Sequence, residues 1–208
     1  MKNTSHFITI EGIEGVGKST AVEFIRAFLT EKKVDFIVTR EPGGTLLAEK
    51  IRSLLLSVSH SDEAMQYETE LLLMFAARIQ HIHNVIRPAL NQGKWVICDR
   101  FIDASFAYQG AGRGIDVKHI RYLEQWLLQD IKPDLTFLFD APAAIGLARA
   151  KHRGPQDRIE QEKEVFFERV RQGYLDRLNE APHRFVLIDA TQPIAAVEET
   201  LKKALESF

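Results

Sequence analysis

The amino-acid sequence predicts a three-layer α/β fold, in which helices cover both faces of a five-stranded parallel sheet. Two observations lead to this prediction: helical stretches separate five short strand-like runs, and each run is apolar on both faces. Strands of that kind are typical of a parallel sheet that is covered on both sides. The strand-like runs comprise residues 7–10, 35–39, 95–98, 135–139 and 184–188.

Apolar residues at helical spacing predict the helices between these strands. The first helix is expected over residues 18–33, where the apolar positions are Val22, Ile25, Phe28 and Leu29. Residues 46–56 and 123–128 carry similar apolar stripes. Pro193 is typical of the first turn of a helix, and we expect a last helix to begin there and end near residue 205.

The composition indicates one domain, residues 1–208, without a general affinity for nucleic acid or membranes. Lys and Arg total 27 against 29 Asp and Glu, a formal charge of −2, so no overall basic excess attracts a polyanion. The longest apolar run, residues 71–77, is too short to span a bilayer. Cys98 is the only cysteine, which excludes an internal disulfide, and the N-terminal residues lack the apolar core of a signal peptide. We therefore expect a cytoplasmic location.

A phosphate-binding loop is predicted after the first strand. Residues 12–19 fit the pattern G-x-x-x-x-G-K-[ST] and precede the predicted helix at residue 18. The glycines let backbone N–H groups turn toward one anion, Lys18 adds a positive charge, and Ser19 can reach Mg²⁺. The alternative is a flexible glycine turn with a surface lysine, but the strand and helix on either side favour the phosphate site. The residues expected to contact a nucleoside triphosphate are Gly12, Ile13, Glu14, Gly15, Val16, Gly17, Lys18, Ser19 and Thr20.

Asp99 and Arg100 directly follow the third predicted strand. The carboxyl end of a central parallel strand is where α/β sheets bind ligands, so Asp99 suits a ligand of Mg²⁺ or of its water. A carboxylate at this place could also cap the N-terminus of a helix. The phosphate loop favours the magnesium role. Arg100 could contact a phosphate.

Arg78 interrupts an apolar stripe on a predicted helix. It follows Met74 by four residues and Phe75 by three, on the face that also holds Leu71 and Ile82. A guanidinium group at such a place must reach solvent, form an ion pair or bind a ligand. We interpret Arg78 as a ligand-binding residue.

Three segments are predicted to be loops. Residues 57–62 and the glycine-rich residues 110–114 are the first two. The third surrounds Gly154 and Pro155 and is strongly basic, with Arg149, Lys151, Arg153 and Arg158. We predict a mobile basic segment here, the alternative being a solvated basic turn.

Several short motifs occur in a characteristic order along the whole chain. After the phosphate loop come T-R-E-P-G-G-T at 39–45, D-R at 99–100, A-Y-Q at 107–109, G-R-G at 112–114, D-R-I-E at 157–160 and D-A-T-Q-P at 189–193. In these motifs and their order the chain resembles bacterial thymidylate kinases. The resemblance implies a P-loop kinase fold that uses ATP and Mg²⁺ to phosphorylate dTMP to dTDP, in the biosynthesis of dTTP. Members of this family are commonly homodimers.

The resemblance also implies roles for individual residues. It assigns the acceptor phosphate to Arg40, Arg52 and Arg100, and the thymine edge to Arg78. The implied sugar contacts are Glu14, which also lies near the metal, and Tyr108, which would collide with a ribose 2′-hydroxyl. Ser105 and Gln109 match base-side positions, and residues 189–192 match an adenine-side loop. Outside the family, any of these arginines could be a surface charge or an ion-pair partner. The implied catalytic set is Lys18, Asp99, Arg100, Glu14, Arg153 and Arg149.

Some positions differ from the pattern usual in the family. An aromatic residue usually precedes the helix arginine by four positions, where this chain has Met74 with Phe75 beside it, so either could pack on thymine. Phe101 stands where tyrosine or histidine is usual, and Ala104 where serine is common. Some members carry an arginine at the position of Gly15, inside the phosphate loop. Because glycine carries no charge, we expect the cation from the basic segment, which resembles the family's lid over about residues 148–160, with Arg153 as first candidate and Arg149 as second.

Two alternative functions have less support in the sequence. A kinase of the same fold could accept dUMP, UMP or CMP, and the acceptor profile would show it. A GTP-dependent switch protein usually carries an N-K-x-D guanine-binding motif, which is missing here. Five of the seven histidines have no paired spacing suggestive of zinc, and we interpret them as solvated or structural: His81, His83, His119, His152 and His183.

Overall fold

A computed structural model describes residues 5–58, 63–151 and 156–208. Its five strands form one parallel sheet in the order β2-β3-β1-β4-β5, which confirms the predicted α/β architecture. Each strand begins and ends within one residue of its predicted limits. The strands are β1 (Phe7–Glu11), β2 (Phe36–Arg40), β3 (Trp95–Asp99), β4 (Leu135–Asp140) and β5 (Phe185–Asp189).

Helices cover both faces of this sheet. Two of the connecting segments are π-helical, Ile82–Ile86 and Phe106–Gly112, and Pro182–Arg184 forms a turn of 3₁₀-helix. The α-helices of the described residues are α1 (Lys18–Glu31), α2 (Leu46–Leu56), α3 (Tyr67–His81), α4 (Arg87–Asn91), α5 (Ile102–Ser105), α6 (Val117–Leu128), α7 (Ala143–Ala150), α8 (Glu164–Glu180) and α9 (Ile194–Glu206).

The loop predicted for residues 110–114 is partly wrong. Gly110 and Gly112 belong to the π-helical segment, and only the last two residues of the range 110–114 leave it. The segment is held in place because α8 packs directly against it, with the ring of Phe166 over Gly112. The small residues there serve close packing between helices, which sequence spacing alone does not separate from a turn.

The core consists of two apolar layers, one on each face of the sheet. β1 is buried along its whole length, and its neighbours β3 and β4 contribute Val96, Ile97, Phe137 and Leu138. The chain enters the phosphate loop directly from β1 and leaves it into α1. This loop therefore rests on the rigid centre of the sheet, at the carboxyl ends of its strands. No helix among the described residues is long and apolar enough to cross a membrane.

Candidate active site

A cavity of about 250 Å³ opens at the carboxyl ends of β1, β2 and β3. The predicted residues that line it are Glu14, Gly15, Gly17, Lys18, Ser19, Arg52, Met74, Arg78, Asp99, Arg100, Ser105, Tyr108 and Gln109. Further lining comes from residues that were not predicted as site residues: Glu41, Pro42, Leu56, Ala104, Asp157, Ile159 and Glu160. The cavity thus collects side chains from distant parts of the sequence.

Lys18 lies against the inside of the phosphate loop. Its Nζ donates hydrogen bonds to the carbonyl oxygens of Gly12, at 2.9 Å, and Ile13, at 2.6 Å. Burial, together with the charge of Arg100, lowers the pKa of Lys18 to about 8. An anion in the loop would favour the charged lysine, so the site is suited to phosphate.

Gly15 is in contact with the backbone of α7. Its φ is +75°, and a Cβ atom placed there would lie 1.8 Å from the carbonyl oxygen of Gly146. A side chain at position 15 would therefore require α7 to move. An arginine at this position would not fit the present packing.

Arg100 adopts a left-handed backbone conformation, with φ of +69°. The next N–H group, of Phe101, is held by the Glu11 carboxylate at 2.7 Å, which stabilises this uncommon conformation. The Arg100 guanidinium group donates from Nη1 to the carbonyl of Gly12 and the hydroxyl of Tyr174, both at 2.9 Å. Its Nη2 donates to Glu14 at 2.8 Å, so Arg100 is fixed on the cavity wall.

Glu14 and Tyr108 both line the cavity and are hydrogen-bonded to each other. The Tyr108 hydroxyl donates to both carboxylate oxygens of Glu14, at 2.7 and 2.8 Å. The Arg100 guanidinium lies over the Tyr108 ring, 4.9 Å from its centre. These contacts bring together three residues to which the resemblance gave sugar and phosphate roles.

Asp99 has a buried carboxylate oxygen, Oδ1, with no hydrogen-bond partner among the described residues. The N-cap of α5 is Phe101, without a side-chain cap, so the alternative role predicted for Asp99 is not adopted. Ser19 lines the same cavity. An unpartnered carboxylate oxygen in a cavity that a serine also lines fits Mg²⁺ or its water. Because the described residues contain no cluster of three or more candidate ligands, phosphate and water oxygens would complete such a site.

Arg78 is only 2% exposed, yet it lines the cavity. Its Nε donates to Glu41 at 2.6 Å, Nη1 to the Ser105 hydroxyl at 2.9 Å, and Nη2 to the Phe101 carbonyl at 2.9 Å. The rings of Phe75 and Phe101 lie 5.0 and 5.5 Å from the guanidinium carbon. The interrupted apolar stripe is therefore explained by a paired arginine at the cavity wall.

The structure brings Met74 to the cavity and does not bring Phe75 there. Phe75 is buried in the core, 1% exposed, with its ring against Arg78. The two positions differ by about 100° around the helix, which is enough to turn one toward the cavity and the other away from it. Of the two predicted candidates, only Met74 could pack on a base in this arrangement.

Arg52 and Arg40 are placed differently. Arg52 lines the cavity and donates to the Pro42 carbonyl at 2.9 Å, and burial and the charge of Arg40 lower its pKa. Arg40 is half exposed and pairs with Glu49, with both carboxylate oxygens 3.0 Å from Nη2. Arg40 is therefore not among the cavity-lining residues, because Glu49 holds it at the surface.

A second cavity, of about 370 Å³, lies on the other side of the phosphate loop. Its lining includes Gly15, Gly17 and Thr20 of the loop region. Arg149 lines it too, and donates to the Ala190 carbonyl at 2.9 Å. Arg149 thus lies beside residues 189–192, away from the first cavity, whereas Arg153 and His152 fall outside the described residues.

The D-R-I-E motif, at the end of the predicted basic segment, forms part of the cavity wall, a role that the sequence did not indicate. Asp157 accepts hydrogen bonds from the N–H groups of Ile159 and Glu160, both at 2.9 Å, and Glu160 accepts from Asp157 N–H at 3.1 Å. This reciprocal pattern resembles a capping box, which the acidic spacing could have indicated. It directs Asp157, Ile159 and Glu160 into the cavity.

Glu70 holds the same motif in place through its contact with Arg158. Its buried carboxylate accepts hydrogen bonds from Gln109 at 2.9 Å and Arg158 at 2.6 Å, and it pairs with Arg113 at 3.2 Å. Burial raises the pKa of Glu70, but the charges and hydrogen bonds of these partners outweigh it and hold the pKa below its usual range. Nothing in the local sequence around Glu70 indicated this role.

Comparison with known proteins gives a consistent result. A sequence profile of the family described as thymidylate kinase matches residues 10–201. A thymidylate kinase of Pseudomonas entomophila is 56% identical over 96% of this chain and 94% of its own length. One of Vesicomyosocius okutanii is 52% identical over 97% and 98%. The crystal structure of thymidylate kinase from Ehrlichia chaffeensis superimposes with a TM-score of 0.76 at 36% identity, over 97% of this chain and 98% of that one.

Proposed function

The chain belongs to the thymidylate kinase family, and from this premise we propose that it transfers a phosphoryl group from ATP to dTMP, giving dTDP for nucleotide biosynthesis. The observation that supports direct transfer is the shared wall of the two cavities. Gly15 and Gly17 line both of them, so a donor in the second cavity and an acceptor in the first would meet at the phosphate loop. We take residues 1–208 to act as one nucleotide kinase domain.

Cationic groups on the cavity wall suit the acceptor phosphate. In this proposal Arg52 and Arg100 hold that phosphate, and Lys18 contacts the transferring phosphoryl group from the loop. Arg100 needs little reorganisation for this role because Glu14 and Tyr174 already fix it. Arg40 would have to leave Glu49 before it could take part.

Mg²⁺ is the cofactor that this chemistry requires. Ser19 and Asp99 would hold it, Asp99 through its unpartnered oxygen and in part through water. The bound ion would neutralise charge on the phosphates of ATP. Arg149 fits a role at the adenine side of ATP, since it lies beside residues 189–192.

The nucleoside part of the acceptor would lie between polar and apolar walls. Arg78, Ser105 and Gln109 offer hydrogen bonds to a flat polar base, and Met74 offers an apolar surface. Tyr108 and Glu14 would face the deoxyribose, where Tyr108 leaves little room for a 2′-hydroxyl. This arrangement favours dTMP over ribonucleotides.

The acceptor profile with ATP and Mg²⁺ tests the proposal. We expect dTMP to be phosphorylated much faster than UMP or CMP. Arg78→Ala should impair the use of dTMP and leave ATP binding largely intact. Equal turnover of UMP and dTMP by the unmodified protein would contradict the thymidylate assignment and favour a kinase of broader specificity.

We further propose a cytoplasmic homodimer that acts on small molecules only. α3 exposes Leu72 and Ala76, which lie four residues apart on one face of the helix, and the neighbouring α6 exposes Tyr122 and Trp126. A second copy of the chain could cover this surface. Sedimentation equilibrium should give twice the chain mass, and Leu72→Glu should lower it. The control is Val165→Glu, a substitution of similar exposure on α8. A monomeric unmodified protein would contradict the proposal.

A further inference from the structure

Glu41, in the T-R-E-P-G-G segment after β2, is buried and bonded through both carboxylate oxygens. Oε2 accepts from Arg78 Nε at 2.6 Å, and Oε1 accepts from His81 Nδ1 at 2.9 Å. Glu41 is 4% exposed. A carboxylate so far from water is stable only when its oxygens are bonded, so these two contacts fix its orientation.

His81 is the outer support of Glu41. Its ring is completely buried, and Nε2 lies 2.6 Å from the Thr39 hydroxyl. A carboxylate that pairs with a guanidinium group accepts hydrogen bonds, so Nδ1 donates to Glu41, and Nε2 is hydrogen-bonded to the Thr39 hydroxyl. A Cβ at Gly44 would lie 2.5 Å from the ring, so backbone closes the remaining side. His81 is not among the residues that line the cavity.

Arg78 has donors to spare after these contacts. A guanidinium group carries five N–H bonds, and the contacts with Glu41, Ser105 and Phe101 use one each on Nε, Nη1 and Nη2. One N–H bond remains on each terminal nitrogen. Since Arg78 lines the cavity, this remaining pair is available to an acceptor group on a ligand.

We propose that Glu41 and His81 are positioning residues, which orient Arg78 so that its remaining N–H bonds recognise a carbonyl on the acceptor base. The inference rests on the proposed use of dTMP and on the proposed contact of Arg78 with its base, and what it adds is the positioning role of Glu41 and His81. Thymine and uracil carry a carbonyl at C4, whereas cytosine carries an amino group there. Because a guanidinium group only donates hydrogen bonds, a fixed Arg78 accepts dTMP and dUMP and rejects dCMP.

The competing explanation is that His81 only fastens α3 to β2. Loss of such a fastening would lower stability and affect all acceptors alike. Loss of positioning would instead release Glu41 and Arg78 and weaken the choice between carbonyl and amino bases. The ratio of kcat/KM for dTMP to that for dCMP therefore separates the two explanations. The ratio of dTMP to dUMP is an internal reference, because both bases carry the carbonyl.

The experiment compares the unmodified protein with His81→Phe, which keeps a flat aromatic ring, somewhat larger than that of histidine, and removes both hydrogen bonds. We expect the dTMP/dCMP ratio to fall about tenfold, the value of one hydrogen bond to a charged group, and the dTMP/dUMP ratio to change less than about twofold. Where dCMP turns over too slowly, its inhibition constant against dTMP replaces kcat/KM. His81→Asn keeps a donor near the position of Nδ1 and should retain the ratio within about threefold.

Leu71→Ala, a buried apolar substitution on the same helix, is the control for stability alone. It should lower the melting temperature without moving either ratio. If His81→Phe also lowers the melting temperature and leaves the dTMP/dCMP ratio unchanged, the positioning role is wrong. Should His81→Phe fail to fold, Thr39→Val replaces it, and there too a lowered ratio supports the proposal and an unchanged one overturns it. An unmodified protein that ignores dTMP would contradict the proposed function itself.

Discussion

Replacing Glu70 by glutamine should lower the stability of the protein more than a substitution at an ordinary surface position. Glu70 is 1% exposed and forms ion pairs with two guanidinium groups, those of Arg113 and Arg158. The side chain of Arg113 is itself only 3% exposed. Glutamine keeps the shape and the hydrogen-bond acceptor Oε1 but removes the negative charge. Arg158 would then lose the carboxylate with which it pairs, and Arg113 would keep only Glu162 as a counter-charge.

The expected loss can be worked out from this burial. Breaking a buried ion pair from one side costs about 3 to 5 kcal/mol. For 208 residues the unfolding entropy near the transition is about 0.44 kcal/mol per kelvin, so the melting temperature should fall by about 7 to 11 °C. Arg158 should also lose its hold on the cavity wall, because Glu70 is the carboxylate to which it is bonded. We therefore expect kcat to fall at temperatures where the variant is still folded.

Thermal unfolding followed by circular dichroism measures the first effect, and steady-state turnover with ATP and dTMP measures the second. Glu68→Gln is the matched control, since Glu68 is exposed on the first turn of the same helix. It should shift the melting temperature by less than about 2 °C. A Glu70→Gln protein that melts within the same small interval would refute the reasoning, because the two arginines would then not depend on the Glu70 charge.

Three further predictions concern single residues. Lys18→Met should abolish most activity. In the ligand-free protein Lys18 loses its proton at a lower pH when folded than when unfolded, so it makes the free energy of unfolding rise between about pH 8 and 10.5. Lys18→Met should remove this rise. Glu11 should have the opposite effect on the pH dependence of stability, because burial and the charge of Asp103 raise its pKa from 4.5 to about 7. Its contribution makes the free energy of unfolding fall as pH rises from about 4.5 to 7. Urea unfolding at several pH values should show a smaller fall for Glu11→Gln than for the unmodified protein. Arg153→Ala should lower kcat at least about 100-fold with little change in KM, since a charge supplied mainly in the transition state acts on the barrier; normal turnover would mean that the cation lies elsewhere.

The sequence was sufficient for the parts of the fold that depend on local patterns. Strand bounds and the position of the phosphate loop follow from apolar runs and glycine spacing, which act over a few residues. The orientation of Met74 and Phe75 was not decided in the same way, because it depends on the rotation of α3 against its neighbours. Arg40 looked equivalent to Arg52, but Glu49, nine positions later, holds it at the surface.

Long-range polar contacts were the part of the site that sequence reasoning missed. Glu70 and Arg158 are 88 residues apart, and Arg78 and Glu41 are 37 apart. Helical spacing marked Arg78 as unusual because one charged residue in an apolar stripe needs a partner. It could not name that partner, since the ends of separate elements are brought together only by the packing of the sheet.

The single cysteine of this chain makes the stability of the sheet directly measurable. Cys98 is fully buried in β3, and burial and the nearby carboxylates of Glu41 and Asp99 raise the pKa of its thiol well above its usual value. A thiol in that state does not react with an alkylating reagent until the surrounding structure opens. The rate of labelling, followed by mass spectrometry, therefore reports the free energy of opening at a strand that ends in the active site. Ligands that close the site can be ranked by how far they slow this reaction, and the protein needs no substitution for the measurement.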